Sequence, residues 1–138
     1  MSDPVVETLI WRAQRKRLES FAGLPPVLYS GTDQGTPEVT HVVVSTIGAP
    51  PDRKYVANGQ PHERRGTLQV MFRHSLVGLN VTATRQQAGE LADHFIDGTK
   101  MRDGAVCLTV MEYPEVADGF EDKGWWNTPV RIRWETEA

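Results

Sequence analysis

The apolar residues Val6, Leu9, Ile10, Ala13 and Phe21 recur at the spacing of one helix face, while Arg12, Arg15 and Glu19 fall on the opposite side. This pattern predicts an opening helix. Asp3 suits its N-cap and Pro4 its first position, where proline's missing N–H would be unpaired anyway. Gly23, followed by Pro25 and Pro26, stops it. Trp11 and Leu18 widen the apolar stripe to one flank, as further core or as a contact surface. The pattern then changes. Val27, Leu28 and Tyr29 predict a short strand and residues 39–47 a longer one, β-branched at Val42, Val43 and Val44, both expected in mid-sheet. Residues 48–63 hold Pro50, Pro51, Gly59 and Pro61 without periodicity, a long connection expected to be a contact element.

Residues 64–72 resume a strand, with Leu68, Val70 and Phe72 on one face and Gln69 and Met71 on the other. Thr84 with Gln87 three residues on reads as a capping box, and Ala88, Leu91, Ala92, Phe95 and Ile96 trace the apolar face of a second helix that Gly98 closes. A strand over 105–111 follows the turn Asp103-Gly104. In the last strand, over 126–135, Trp126, Thr128, Val130, Ile132 and Trp134 alternate with Asn127, Pro129, Arg131 and Arg133, which predicts one buried and one wet face. Pro129 lacks a ladder donor, so this strand is expected at an edge or at a bulge. The order helix, three strands, helix, two strands predicts an α+β fold in one domain over residues 1–138. Two helices would pack on one face of a mixed, mostly antiparallel sheet of about five strands.

Composition narrows the function. No apolar run approaches the ~18 residues a bilayer-spanning helix needs, which argues against a membrane role. The opening Met-Ser-Asp-Pro carries neither the positive charge nor the apolar run of a secretory signal, so the chain is expected in the cytoplasm where it is made. The single Cys107, among Val106, Leu108 and Val110, excludes an internal disulfide and reads as a buried structural thiol. A net charge of −3 gives no overall drive toward nucleic acid. Charge is nevertheless segregated. Arg12, Arg15, Lys16 and Arg17 cluster early; Glu112, Glu115, Asp118, Glu121 and Asp122 cluster late, with Lys123 as the one cation in that stretch. Either cluster is a solvated surface, or the two are complementary faces of a self-associating subunit.

Catalytic motifs are not found. His62-Glu63 opens like a zinc-protease helix, but Gly66 occupies the position of the second ligand. His41, His74 and His94 are scattered, and the glycines form no phosphate-cradling pattern. No cofactor and no metal is expected. The carboxylates around Gly119 read as an acidic surface loop, since an exposed loop offers little desolvation to tune an acid or a base.

Three stretches remain: Arg64-Arg65-Gly66-Thr67-Leu68-Gln69-Val70, the helix over 88–98 with Leu91, Ala92 and Phe95, and Gly124-Trp125-Trp126-Asn127-Thr128-Pro129-Val130. In this order they resemble the tail terminator family of long-tailed bacteriophages, minor tail proteins also present in gene-transfer particles. In that family an Arg-Arg-Gly strand follows a proline- and glycine-containing loop, and a Gly-Trp-Trp or Gly-Trp-Tyr pair opens the last strand. The resemblance implies a non-enzymatic virion protein at the top of the tail tube, assembled in the host bacterial cytoplasm. It implies a homohexameric ring that binds the last ring of major tail tube protein, stops tube growth, and offers a surface to a head–tail connector protein. DNA would pass through without specific binding. The expected subunit and tube contacts are Trp11, Arg53, Lys54, Tyr55, Val56, Arg64, Arg65 and Trp125. The expected lumen-facing or partner-facing loop carries Glu112, Glu115, Asp118, Glu121 and Asp122. The rival readings are a head-closure or adaptor connector, and a small α+β enzyme or ligand-binding protein using some of His41, His62, His74 or Cys107.

Overall fold

The computed structural model describes residues 6–29, 40–48, 52–53, 62–104 and 106–137. Among them lie the helices α1 (Val6–Glu19) and α2 (Val81–His94). The strand segments are β1 (Val27–Tyr29), β2 (His41–Gly48), β3 (Asp52–Arg53), β4 (His62–Ser75), β5 (Lys100–Asp103), β6 (Val106–Val110), β7 (Glu115–Val116), β8 (Phe120–Asp122) and β9 (Trp125–Glu137). The sheet runs β1-β2-β4-β9-β6-β5, with β3 added to β4 and both β7 and β8 added to β9. Only β1 with β2 is parallel among the described pairs.

The spine is the antiparallel ladder of β4 and β9, in register from Glu63↔Glu137 to Ser75↔Trp125. Its period-2 pattern puts Leu68, Val70 and Phe72 beside Ile132, Val130 and Thr128, and β2 continues the same face with Val42 and Val44. Against that face pack Ile10, Ala13 and Leu18 of α1, Ala88, Leu91 and Ala92 of α2, and Phe95, all in one buried cluster. Each fully buried Leu, Val or Phe contributes about 1.5–3 kcal/mol, so the helices are held by this stripe and not by propensity alone. The expected α+β arrangement of two helices on one face of a mostly antiparallel sheet is therefore present, and Leu18 is core.

Several details differ from the pattern-based expectations, each for a tertiary reason. Among the described residues the sheet has nine strand segments instead of about five. The unanticipated ones, β3, β5, β7 and β8, are two to four residues long and carry almost no apolar alternation; pairing to β4, β6 or β9 makes them strands. Within the described residues β1 lies at the sheet's edge, not its middle. The last strand lies mid-sheet despite Pro129. The Pro129 carbonyl accepts from the Ala117 amide at 3.0 Å, so its nitrogen also faces the β7 side, where pairing ends, and the β4 ladder loses no donor. Asn127 and Pro129 are buried, so the wet face of β9 begins only at Arg131.

α2 starts one turn before the anticipated cap. Asn80 Oδ1 accepts from the Ala83 amide at 3.2 Å, while the Thr84 hydroxyl is turned inward and donates to the Val81 carbonyl. Ile96 lies past the helix end and is half exposed, outside the predicted apolar face. Cys107 is half-buried on the sheet's second face, not fully buried. α1 ends at Glu19, and Gly23 adopts φ +82, as the stop signal implied. The expected cap at Asp3 and Pro4 lies outside the described residues. At the β8–β9 hairpin, Lys123 and Gly124 both take positive φ, 53 and 82, the two-residue turn whose twist matches paired strands.

Candidate interaction surfaces

Because both helices cover one face of the sheet, the other face is left without a helix against it among the described residues. By register it presents Ser45, Gln69, Arg131 and Glu115 in one row, and Ile47, Thr67 and Arg133 in the next. Arg131 donates from Nη1 to Glu115 Oε1 at 2.8 Å and from Nε to Gln69 Oε1 at 3.1 Å. Arg133 donates to Glu112 Oε1 at 2.9 Å. Arg85, on the first turns of α2, reaches Asp118 at 3.4 Å. These exposed pairs are screened by solvent and hold little free energy each, but they change the charge of the acidic stretch. In sequence, Lys123 is its sole cation. In the fold, three arginines from α2 and β9 partner Glu112, Glu115 and Asp118. Glu121 and Asp122, exposed on β8, make no ion pair among the described residues.

The anticipated contact residues are dispersed. Trp11 is half-buried and packs edge-on against Tyr29, with ring centroids 5.5 Å apart. Trp125 lies edge-on to the buried His41 at 4.9 Å, with the Arg73 guanidinium 5.9 Å from its ring. Both tryptophans thus spend part of their surface on their own chain. Arg64 is half-buried and Arg65 exposed, side by side on β4. Arg53 sits on β3 beside His62. Lys54, Tyr55 and Val56 lie outside the described residues, as does most of the 48–63 connection.

Two glycines carry a local rule the sequence did not announce. A Cβ on Gly66 would stand 2.6 Å from Cζ2 of Trp134 and 3.0 Å from the Ile47 carbonyl oxygen. A Cβ on Gly119 would meet the indole of Trp126 at under 3 Å. Trp134 and Trp126, toward opposite ends of β9, thus each lie over a glycine of a neighbouring segment, which accounts for the glycine of the Arg-Arg-Gly stretch. Beside Gly66 and Trp134 opens a groove of about 380 Å³, bordered by Ile47, Arg65, Met111 and Arg133. A second cavity, about 320 Å³, lies near Thr40, His74, Asn80 and Gln87.

Among the described residues, the candidate histidines and the cysteine lie apart. His41 and His74 sit near the Trp125 end of the spine, and His74 Nε2 is bonded to Gln87 Oε1 at 2.7 Å. Cys107 lies toward the Glu137 end, on β6. No group of three His, Cys, Asp or Glu among the described residues is placed to hold a metal ion. Among those residues, no helix is long and apolar enough to cross a membrane.

One polar cluster titrates outside its ordinary range. Burial first, and then the hydrogen bond to Glu19 at 2.8 Å, push the Tyr29 hydroxyl up to about 12. Hydrogen bonds from Arg15 and then Tyr29 hold Glu19 below its usual value of 4.5. The raised tyrosine contributes stability that is whole below pH 10.0 and is lost as pH climbs through about 12. The depressed glutamate contributes above 4.5 and is lost as pH falls through its lowered value. Urea midpoints measured against pH should thus show an alkaline limb between 10.0 and about 12 that Tyr29→Phe flattens. An unchanged limb in that variant would refute the assignment.

A family model described as phage tail terminator protein matches residues 9–134. A solved chain that carries no functional name has TM-score 0.76 and 18% identity, over 96% of this chain and 96% of that chain. A chain from the virion of a native gene transfer agent particle has TM-score 0.62 and 13% identity, over 99% of this chain and 100% of that chain. Both similarities are of fold. No curated protein matches the sequence.

Proposed function

This chain belongs to the phage tail terminator protein family, and from that premise we propose that it closes into a ring on the last ring of a tail tube. There it stops tube polymerisation and presents the surface to which the head joins. The observation that carries the reading is the extent of the family match, residues 9–134, which takes in α2, all but the first three residues of α1 and almost the whole β4·β9 spine. The fold shared with a chain of a gene transfer agent virion supports a place in a particle. The separation of His41 and His74 from Cys107 weighs against the enzymatic alternative.

The ring is a homohexamer, six copies of 15.4 kDa or about 92 kDa, closed by a head-to-tail contact between two different patches of the subunit. Its partners are itself, the major tail tube protein and a head–tail connector protein, and it sits at the top of the tail after assembly in the bacterial cytoplasm. DNA passes through without specific binding. The 48–63 connection with Arg53, Lys54, Tyr55 and Val56, together with Arg64, Arg65, Trp11 and Trp125, supplies subunit and tube contacts. The acidic segment faces the lumen or the basic surface of an adjoining protein. On a lumen wall, Arg85, Arg131 and Arg133 are engaged by Asp118, Glu115 and Glu112 and make fewer phosphate contacts, so less of the counterion release that would hold DNA in place.

The test is removal of the chain from a particle-producing cell, followed by electron microscopy of the lysate. Overlong tails without heads are the expected outcome. Tails of normal length joined to filled heads would overturn the reading.

A further inference from the structure

Lys100 and Arg102 were not singled out by sequence, because β5 itself was not predicted. In the fold they stand exposed on the outer strand of the sheet, alternating with buried Met101 and Asp103. α1 closes the other side of that strand: Arg12 Nε lies 3.0 Å and Lys16 Nζ 3.4 Å from the carboxylate of Asp103. Two cations thus share one buried carboxylate, and two more flank the strand. With Asp97 of the preceding turn and Glu135 of the row Lys100↔Thr109↔Glu135 included, four cations (Arg12, Lys16, Lys100, Arg102) stand against three carboxylates (Asp97, Asp103, Glu135), an excess of one positive charge. Ile96, in the turn that leads into this strand, is half exposed.

The opposite character appears at the far end of β9. β8 pairs there with Trp125, Trp126 and Asn127, whereas β6 meets β9 at Trp134 and Glu135, roughly 25–30 Å away along the strand. All three residues of β8 are exposed: apolar Phe120, then Glu121 and Asp122 with no ion pair among the described residues. Val77, in the turn after β4 at the same end, is 90% exposed. Asp118, paired with Arg85 of α2 at 3.4 Å, is itself fully solvated. With Lys123 of the adjoining turn counted, Asp118, Glu121 and Asp122 stand against Lys123 and Arg85, an excess of one negative charge. The chain therefore carries two patches at separate places, each with exposed apolar residues beside charge, one with a positive and one with a negative excess.

We propose that the occupant of the cationic β5–α1 edge is the β8 end of a second copy of this chain, with Lys100 and Arg102 set against Glu121 and Asp122. Charge complementarity of this kind fixes which surfaces meet and suppresses wrong pairings more than it adds affinity. Two distinct patches give a heterologous contact, the type that closes into a ring. The inference rests on the ring reading above and chooses, for the acidic segment, an adjoining copy over the lumen.

The experiment uses charge reversal in particle-producing cells with each variant as the sole copy: Lys100→Glu with Arg102→Glu, and Glu121→Lys with Asp122→Lys. Each alone should lower the titre of DNA-delivering particles by about tenfold or more, because every contact then sets like charges together. Produced together, the two should restore titre, since each reversed edge meets an oppositely reversed neighbour and an even-numbered ring closes by alternation. Wild-type titre from either variant alone overturns the proposal, and so does failure of rescue when both melt at the wild-type temperature. Should a paired reversal lower Tm, Arg102→Glu against Glu121→Lys gives the same readout with one change per copy. Cells lacking the chain separate the two levels. If they make normal tails, the ring reading fails; if they make overlong tails while the reversed variants behave as wild type, only this surface assignment fails.

Discussion

Replacing Trp134 with alanine is expected to lower stability by about 3–5 kcal/mol, the range for emptying a buried aromatic site. Trp134 is 6% exposed and joins the core cluster at the far end of the β4·β9 spine. Natural domains hold about 5–15 kcal/mol in all, so this single change takes a large share of what keeps the chain folded. Gly66→Ala is the companion experiment. The new methyl must displace the indole or the Ile47 carbonyl, and overpacking of this kind costs about 1–3 kcal/mol. In a Trp134→Ala background the clash with the indole is gone and only the 3.0 Å approach to the Ile47 carbonyl remains, so the cost of Gly66→Ala should shrink. Chemical denaturation of the four proteins gives the coupling. Equal costs of Gly66→Ala in both backgrounds would show that glycine is present there for another reason.

The second large effect lies where the two helices end. Arg17 of α1 donates from Nε at 3.1 Å and from Nη2 at 2.6 Å to the carbonyl of His94, the last residue of α2. His94 answers through Nε2, 2.8 Å from the Arg17 carbonyl and 2.9 Å from the Ser20 hydroxyl. A helix C-terminus exposes carbonyls with no partner of their own, and a forked cation satisfies one while opposing the negative end of the helix dipole. Arg17→Ala should cost about 1.5–3 kcal/mol, the range for hydrogen bonds to a charged group. Arg17→Lys should recover less than half of that, because a single ammonium cannot reproduce two N–H bonds in a fork. Thermal melts of the three proteins decide it; an alanine variant as stable as the parent would mean that water replaces the clamp at no cost.

The two patterns behave differently on passing from sequence to fold. Helix faces and long strands were legible because a period of 3.6 or 2 is written by the residues that meet the core: Ile10, Ala13, Leu91 and Ala92 on the helices, Leu68, Val70, Phe72, Val130 and Ile132 on the strands. The Arg-Arg-Gly and Gly-Trp-Trp stretches also carried the family resemblance, and the family match extends across both. The short strands had no such signal. β5, β7 and β8 contain few apolar residues, and what makes them strands is the hydrogen-bonding edge of β6 or β9. Pro129 misled for the same reason: whether a missing N–H matters depends on which neighbour that N–H would face.

Charge divides along the same line. The sequence by itself determined the net charge, the acidic stretch and the basic opening helix. It did not determine their local balance, because ion pairing depends on distance in space. Arg131 and Arg133 reach Glu115 and Glu112 only through the register of β9, and Arg85 reaches Asp118 only because α2 packs across it. Likewise Lys100 and Arg102 become one cationic edge with Arg12 and Lys16 only when α1 settles on β5 around Asp103. Periodicity is a property of neighbours in the chain, so the sequence holds it; surfaces are made by residues far apart in the chain, so only the tertiary structure decides them.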